Sequence, residues 1–470
     1  MTHHAIIGDG LSAAELAVSA PLGRGDRLTV IGPAVARLGR GLAYADHPAD
    51  APWRFAWLLN SPAYLIDEAF VDWAAARWDD IAARMAGRRP DWLAAAAPHV
   101  ARDDIAALFL PRAIFGDYLR ARIEAGLARL DEAGVEIVRL PAKVTGLRRD
   151  GPAFRLSLSD GTTVAADSVD LATGGPVNQP LCAGLGAPAF ETPYGNEAAI
   201  AGLARNGGPI VCIGGNAAML DVLRLVQSVT EESRLAFSVI SQTGHLPEPT
   251  APHHPRRPAA APGLAPPYRT AETFLAALDA DIARCRAGGD RMAELQGGFY
   301  GWLFRERLTS FVPDRDEARR AATRVERRFF RGTRDSIRDF DRLAAAGRTR
   351  MVAGQVSAVR RADDGTLVVA YTTPDGTAAQ MAAAAVVNTA GPGPAPRFDP
   401  LTNDLIDDGI LEACPVTKGI RVGPGLETAL PGLRYLSPAL SEIGDGVLPM
   451  RPYSAEQLRL YAFAANGYDD

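Results

Sequence analysis

His4-Ala5-Ile6-Ile7-Gly8-Asp9-Gly10-Leu11-Ser12-Ala13-Ala14-Glu15 is the stretch from which the rest of the chain can be read. A short apolar run enters Gly8-x-Gly10-x-x-Ala13, and helix-forming residues follow at once. That order predicts a strand, a tight turn and a helix whose N-terminus seats a dinucleotide diphosphate. Gly8 permits the turn, Gly10 lets the main chain approach phosphate with no side chain between, and small Ala13 lets helix and strand pack closely. Leu11 and Ser12 complete the first helical turn. Twenty or so residues on, Asp26-Arg27-Leu28-Thr29-Val30-Ile31 reads as the second strand of the βαβ unit. An acidic residue usually ends that strand and binds the adenosine ribose hydroxyls. Here Gly32-Pro33 follows instead, so either another residue takes the ribose or the nucleotide is held more weakly than usual.

Composition sets the bounds. The chain has 470 residues, enough for two or three domains with ample core. Apolar residues at 47 % and charged residues at 22 % are those of an ordinary globular protein. A net charge of -5 argues against a dedicated nucleic-acid binder. Cys182, Cys212, Cys285 and Cys414 have no metal-ligand or CxxC spacing and read as reduced structural thiols. Neither a basic and apolar leader nor an apolar run of about 18 residues is evident, so a cytoplasmic protein without a membrane span is expected. No hydrolase triad spacing, P-loop, EF-hand or HExxH occurs.

Beyond the second strand the chain reads Leu38-Gly39-Arg40-Gly41-Leu42-Ala43-Tyr44 and then Trp57-Leu58-Leu59-Asn60-Ser61-Pro62-Ala63. Strand, GxGxxA, GRGLAY and LLNxPA in this order resemble the bacterial FAD/NAD(P)-binding flavoproteins. These belong to the two-dinucleotide-binding-domain superfamily that includes the N-hydroxylating monooxygenases. The resemblance implies that Gly41, Leu42, Ala43, Tyr44 and Asn60 line the flavin side of an FAD site, with Arg40 also among the cofactor-binding residues. It places Val144, in a predicted strand, at the position whose backbone contacts adenine. Ser168-Val169-Asp170-Leu171-Ala172-Thr173-Gly174-Gly175-Pro176 resembles the ATG return to the FAD domain, which brings Thr173 and Gly174 to the cofactor. Ala385-Val386-Val387-Asn388-Thr389-Ala390-Gly391-Pro392-Gly393 looks like a second such return, adding Gly391.

A second nucleotide-like unit begins at Gly208-Pro209-Ile210-Val211-Cys212-Ile213-Gly214-Gly215-Asn216-Ala217-Ala218-Met219-Leu220-Asp221. In the family this slot receives NADPH, which makes Gly214 and Asn216 candidate contacts. Asn216 stands where the second glycine is expected, and Gln242 where an arginine would hold a 2′-phosphate, so both departures put NADPH in question. Near the C-terminal end Leu433-Arg434-Tyr435-Leu436-Ser437-Pro438 replaces the family's flavin-facing glycine with Ser437.

The remaining segments carry open alternatives. Residues 64 to 130 have helical periodicity with Phe70, Trp73, Trp78, Ile114, Tyr118 and Ile123, either core or pocket cover. Pro247 to Pro267 reads as an extended surface loop containing the vicinal pair His253-His254, a metal ligand pair only if a third ligand joins it. The run Arg315, Arg319, Arg320, Arg324, Arg327, Arg328, Arg331 and Arg334 is either an anion site or a solvated helix face with ion pairs.

The expected architecture is α/β, with two Rossmann-like dinucleotide-binding domains, the second inserted into the first, and additional helical segments. Residues 1–204 and 350–470 would form the FAD-binding part, and 205–349 the NAD(P)-binding-like part. The expected function is an FAD-dependent oxidoreductase, monooxygenase-like, acting on a small amine or amino-acid-derived substrate. Tyr44, Asn60 and Ser437 are its candidate catalytic residues. The alternatives are a flavoprotein with a degenerate nicotinamide site, performing substrate oxidation, rearrangement or cyclisation, and a non-catalytic scaffold.

Overall fold

The computed structural model describes residues 1–251, 254–258, 262–329 and 331–467. Two five-stranded parallel sheets organise it. The first has the order Leu433–Tyr435, Ser168–Leu171, His3–Ile7, Arg27–Ile31, Glu136–Leu140. The second has the order Ala189–Phe190, Ala385–Asn388, Ile210–Ile213, Phe237–Ser241, Thr349–Ala353. Parallel strands are covered on both faces, which is why Ala5-Ile6-Ile7 and Ile210-Val211-Cys212-Ile213 are continuous apolar runs and not alternating ones.

The two units are built on one plan. Each has a strand, glycine turn and helix, Leu11–Val18 in the first and Ala217–Gln227 in the second. Each makes a helical excursion between its second and third strands. Each then forms a three-stranded antiparallel meander before returning to the centre of its own sheet, through 144–166 and 355–383 respectively. Even the first turn glycines are equivalent. A Cβ on Gly8 would meet the Ala172 carbonyl oxygen at 2.3 Å, and one on Gly214 the Thr389 carbonyl oxygen at 2.6 Å, with φ +133° and +105°. Both positions therefore require glycine for the fold itself.

This plan corrects one expectation. The strand Ala385–Asn388 pairs with Ile210–Ile213 in the second sheet, so it is not a return to the first, and Ala189–Phe190 also lies in the second sheet. The C-terminal return to the first sheet is made by Leu433–Tyr435. Its docking is fixed by Asp170, 1 % exposed, which accepts two hydrogen bonds of 2.7 Å from Arg434 and one of 3.0 Å from His4. Burial raises the Asp170 pKa, but His4 and Arg434 outweigh it and hold the carboxyl at about 2. A folded pKa below the unfolded value gives stability that is present above pH about 4 and is lost as pH falls towards 2. We expect Asp170→Asn to flatten that acid limb and to cost about 3 kcal/mol at pH 7, read by urea denaturation from pH 7 to 3.

The helices of the first excursion bury Phe70, Ile114, Tyr118 and Ile123 in the first sheet's core, with Trp73 and Trp78 packed against it. Five arginines of the run are engaged in ion pairs. Arg315 and Arg319 both grip the fully buried Glu442, Arg324 meets Glu272, Arg328 meets Asp279 and Arg320 meets Glu317. These partners favour the ion-paired helix over an anion site. His254 faces Asp104 at 3.4 Å, while His253 lies outside the described residues. The four cysteines are buried free thiols. Among the described residues, no group of three His, Cys, Asp or Glu side chains is placed to hold a metal, and no helix is long and apolar enough to cross a membrane.

Candidate functional site

The first glycine turn presents an open helix N-terminus. Gly10 is the N-cap, at φ −81° and ψ −169°, and no side chain caps the helix that follows. The first amides of any helix have no intrahelical acceptor, so an uncapped terminus offers donors and a positive dipole end to an anion. A Cβ added to Gly10 would find nothing within 4 Å. The fold therefore neither strains Gly10 nor crowds it, and the space in front of it is what the glycine preserves. Gly174, beside the turn on the neighbouring strand's exit, likewise has open space at its Cβ position.

The GRGLAY loop lies against this turn. The Gly39 amide donates to the Asp9 carbonyl at 3.0 Å, and the Cβ position of Gly41 is 3.5 Å from the Cα of Gly10. Leu42 is 65 % exposed, and Ala43 and Tyr44 are half-buried beyond it. The Tyr44 ring packs edge-on against Phe115, and burial pushes its hydroxyl pKa upward. The Arg40 side chain lies behind this loop. Its guanidinium is buried and donates to Asp117 (2.8 Å), the Tyr44 carbonyl (3.0 Å) and the Ala113 carbonyl (3.3 Å), so it staples the loop from behind and is not presented to a ligand.

Thr173 shares a 2.7 Å hydrogen bond with Thr402 next to the open Gly174, and half-buried Val144 begins the first meander. Gly391 is not with them, because it follows the strand of the second sheet and lies beside the second glycine turn. Ser437 is placed away from any open surface. It has no exposed surface, and its Oγ donates to the Tyr435 hydroxyl at 2.6 Å and accepts from the Ala439 amide at 3.0 Å. That hydroxyl shapes the turn after the last strand of the first sheet.

Asn60 is exposed on the seam between the two units. Its side-chain oxygen accepts from Arg112 at 3.2 Å, and its carbonyl accepts from Thr250 at 3.0 Å. Behind it lies a buried cluster that the linear motifs do not reveal. Arg112 pairs with Asp221 at 3.0 Å, the Tyr194 hydroxyl donates to Asp221 at 3.0 Å, and the Trp57 indole donates to the Asp221 carbonyl at 2.9 Å. Burial pushes the Asp221 carboxyl up to about 6 against the pull of Arg112. The only linear signal for it was Asp221 itself, as the last residue of the second glycine motif.

The second glycine turn differs from the first at the decisive place. The Asn216 side-chain oxygen accepts from the Ala218 and Met219 amides at 3.0 and 3.3 Å, and its nitrogen donates to the Thr389 carbonyl at 2.6 Å. The helix N-terminus is thus capped by the protein's own carboxamide. Gln242 is tied to Gln355 at 2.6 Å.

Residues 5–176 match the FAD-NAD(P)-binding family model. No curated protein matches the chain in sequence. Among solved structures, the fold is similar to the ornithine hydroxylase PvdA from Pseudomonas aeruginosa, with TM-score 0.56 and 13 % identity over 99 % of this chain and 98 % of that one. It is similar to the lysine monooxygenase NbtG from Nocardia farcinica, with TM-score 0.53 and 17 % identity over 98 % and 100 %. It is also similar to the ornithine N-hydroxylase KtzI from Kutzneria sp. 744, described with reduced FAD, NADP+ and L-ornithine, with TM-score 0.52 and 14 % identity over 100 % and 98 %. At these identities the likeness is one of fold: an α/β chain with two parallel-sheet units.

Proposed function

We propose that this chain is an FAD-dependent oxidoreductase of the monooxygenase type, acting on a small amine or amino-acid-derived substrate. The observation that carries the reading is Gly10, a glycine that the fold does not need, standing before an uncapped helix N-terminus inside the segment that matches the family model. The substrate class is drawn from the proteins that share the fold, an ornithine hydroxylase and a lysine monooxygenase among them.

In this reading Gly10, Leu11, Ser12 and Ala13 hold the diphosphate through backbone amides, while the Gly8 amide donates to the Ile31 carbonyl at 2.8 Å and Gly8 makes the turn that presents them. Gly41, Leu42, Ala43, Tyr44, Asn60, Thr173 and Gly174 border the flavin, and Val144 lies at the adenine end. Bound FAD would supply the electron and oxygen chemistry, so no side-chain nucleophile is needed. The protein's part is to bind, orient and exclude water. Arg40 does this indirectly by fixing the loop that carries Gly41 to Tyr44.

A second reading is favoured by one observation, the carboxamide cap at Asn216. With the Ala218 and Met219 amides already satisfied, the second turn offers a nicotinamide dinucleotide fewer free helix-terminal amides than the first turn offers. The flavin would then react without NADPH at this turn, in substrate oxidation or a rearrangement. Anaerobic reduction separates the two. Purified protein should absorb at about 450 nm, as bound flavin does. Bleaching by NADPH supports the monooxygenase reading, whereas bleaching by dithionite but not NADPH supports the second. In that case Asn216→Gly, which frees two amides at the cost of a few tenths of a kcal/mol, should improve NADPH reduction about tenfold. Colourless protein that FAD does not reconstitute would overturn both.

A further inference from the structure

The strand that ordinarily supplies a ribose-binding acid ends here in Gly32, and the structure shows what occupies that place. The side chain of Asp9, the residue between the two glycines of the first turn, reaches across to the end of the second strand. Its Oδ2 accepts a hydrogen bond of 2.6 Å from the Ala34 amide. A Cβ on Gly32 would stand 2.7 Å from both the Cβ and the Oδ2 of Asp9. One space is shared by the two positions, so the strand end must be glycine if the turn is to carry a carboxylate.

The second unit has the reverse placement, with the small residue in the turn and a polar one at the strand end. There the residue between the turn positions is Gly215, and the strand end is Ser241. A Cβ on Gly215 would come within 3.3 Å of the Ser241 Cβ and Oγ. The small residue and the polar one have exchanged places between the two units, and the polar atom reaches the same side of the turn in both.

From this geometry we infer that Asp9 is the adenosine-ribose ligand of the first unit, a carboxylate delivered from the glycine turn in place of the missing strand-end acid. The inference rests on the FAD reading above. Asp9 is half-buried, its Oδ2 is fixed by Ala34, and among the described residues no donor meets its Oδ1. A carboxylate accepts hydrogen bonds and cannot donate them, which suits the vicinal hydroxyls of a ribose and repels a 2′-phosphate. The ligand selected is therefore an adenosine diphosphate moiety with free 2′ and 3′ hydroxyls.

The test is binding to the apoprotein of the full chain. FAD is followed by flavin fluorescence, and ADP and 2′-deoxy-ADP by competition against it. Wild type should prefer ADP over 2′-deoxy-ADP by about tenfold, as expected for a hydrogen bond to a charged acceptor. Asp9→Ala should weaken FAD about tenfold or more and reduce that preference to under about twofold. Gly32→Asp alone should bind poorly because two side chains would compete for one space, while Asp9→Ala/Gly32→Asp should regain both affinity and preference. Thermal melts of the apoproteins confirm that each variant is folded. Equal loss of ADP and 2′-deoxy-ADP binding in Asp9→Ala would show that Asp9 merely staples Ala34, and would overturn the inference while leaving the FAD reading intact. Wild-type protein that binds neither FAD nor ADP would overturn the FAD reading itself.

Discussion

Gly10→Val is expected to reduce FAD affinity at least about 100-fold while the apoprotein melts within a few degrees of wild type. The two halves of that expectation have separate causes. The backbone of Gly10 is extended, at φ −81° and ψ −169°, a conformation open to any residue, and nothing lies within 4 Å of its Cβ position. Glycine and valine differ as N-caps by about 1 kcal/mol at most, so the fold should survive. The isopropyl group would instead fill the space in which a diphosphate must approach the amides of Leu11, Ser12 and Ala13. Gly8→Ala provides the contrast. Its Cβ would meet the Ala172 carbonyl at 2.3 Å, so that variant should fail to fold instead of merely failing to bind. Reconstitution with FAD, read by absorbance alongside a thermal melt, checks both. A Gly10→Val protein that retains wild-type FAD affinity would remove this turn from the site.

Much of this was legible in the sequence because it depends on neighbours in the chain. The apolar runs before Gly8 and Gly214 and the turn glycines are local patterns, and each lies where its period placed it. What was not legible depends on partners far away. Ala172-Thr173-Gly174 and Thr389-Ala390-Gly391 are near-copies, and only the pairing of Ala385–Asn388 with Ile210–Ile213 reveals that the second belongs to the second sheet. Arg40, in a glycine-rich loop, reads as a cofactor contact until Asp117 is found beside it. Ser437 reads as a group facing the flavin until Tyr435 and the Ala439 amide are seen to consume its hydroxyl. Asp9 is the converse case. As the unspecified residue of a GxG turn it carried no signal, and the absence of an acid after Ile31 was legible without its remedy. A duplicated plan makes such cases more common, because two sets of similar motifs can be assigned to either sheet until strand order is known.

Arg112→Leu should destabilise the protein by about 3–5 kcal/mol, and by more at pH 8 than at pH 5. Arg112 and Asp221 come from different units, their side chains are 8 % and 6 % exposed, and they meet at 3.0 Å. Arg112 also donates to the Leu58 carbonyl at 3.0 Å, so its loss leaves both a buried carboxylate and a buried carbonyl short of a donor. Burial already lifts Asp221 to about 6 with the arginine present, and removing the arginine lifts it further. An acid whose folded pKa exceeds its unfolded value binds protons more tightly when folded, so stability falls as pH rises from about 4 to the folded pKa. In the variant that fall continues to higher pH than in wild type, which widens the difference between the two proteins on the alkaline side. Arg112→Leu/Asp221→Leu removes both charges and should recover most of the loss, leaving the Tyr194 hydroxyl and the packing at the seam as the residual cost. Urea denaturation of the two single variants and the double variant at both pH values completes the cycle. A single-variant loss that is the same at pH 5 and pH 8, or that the second substitution does not relieve, would show that the seam is held by packing around Trp57 and Tyr194 and not by this charge pair.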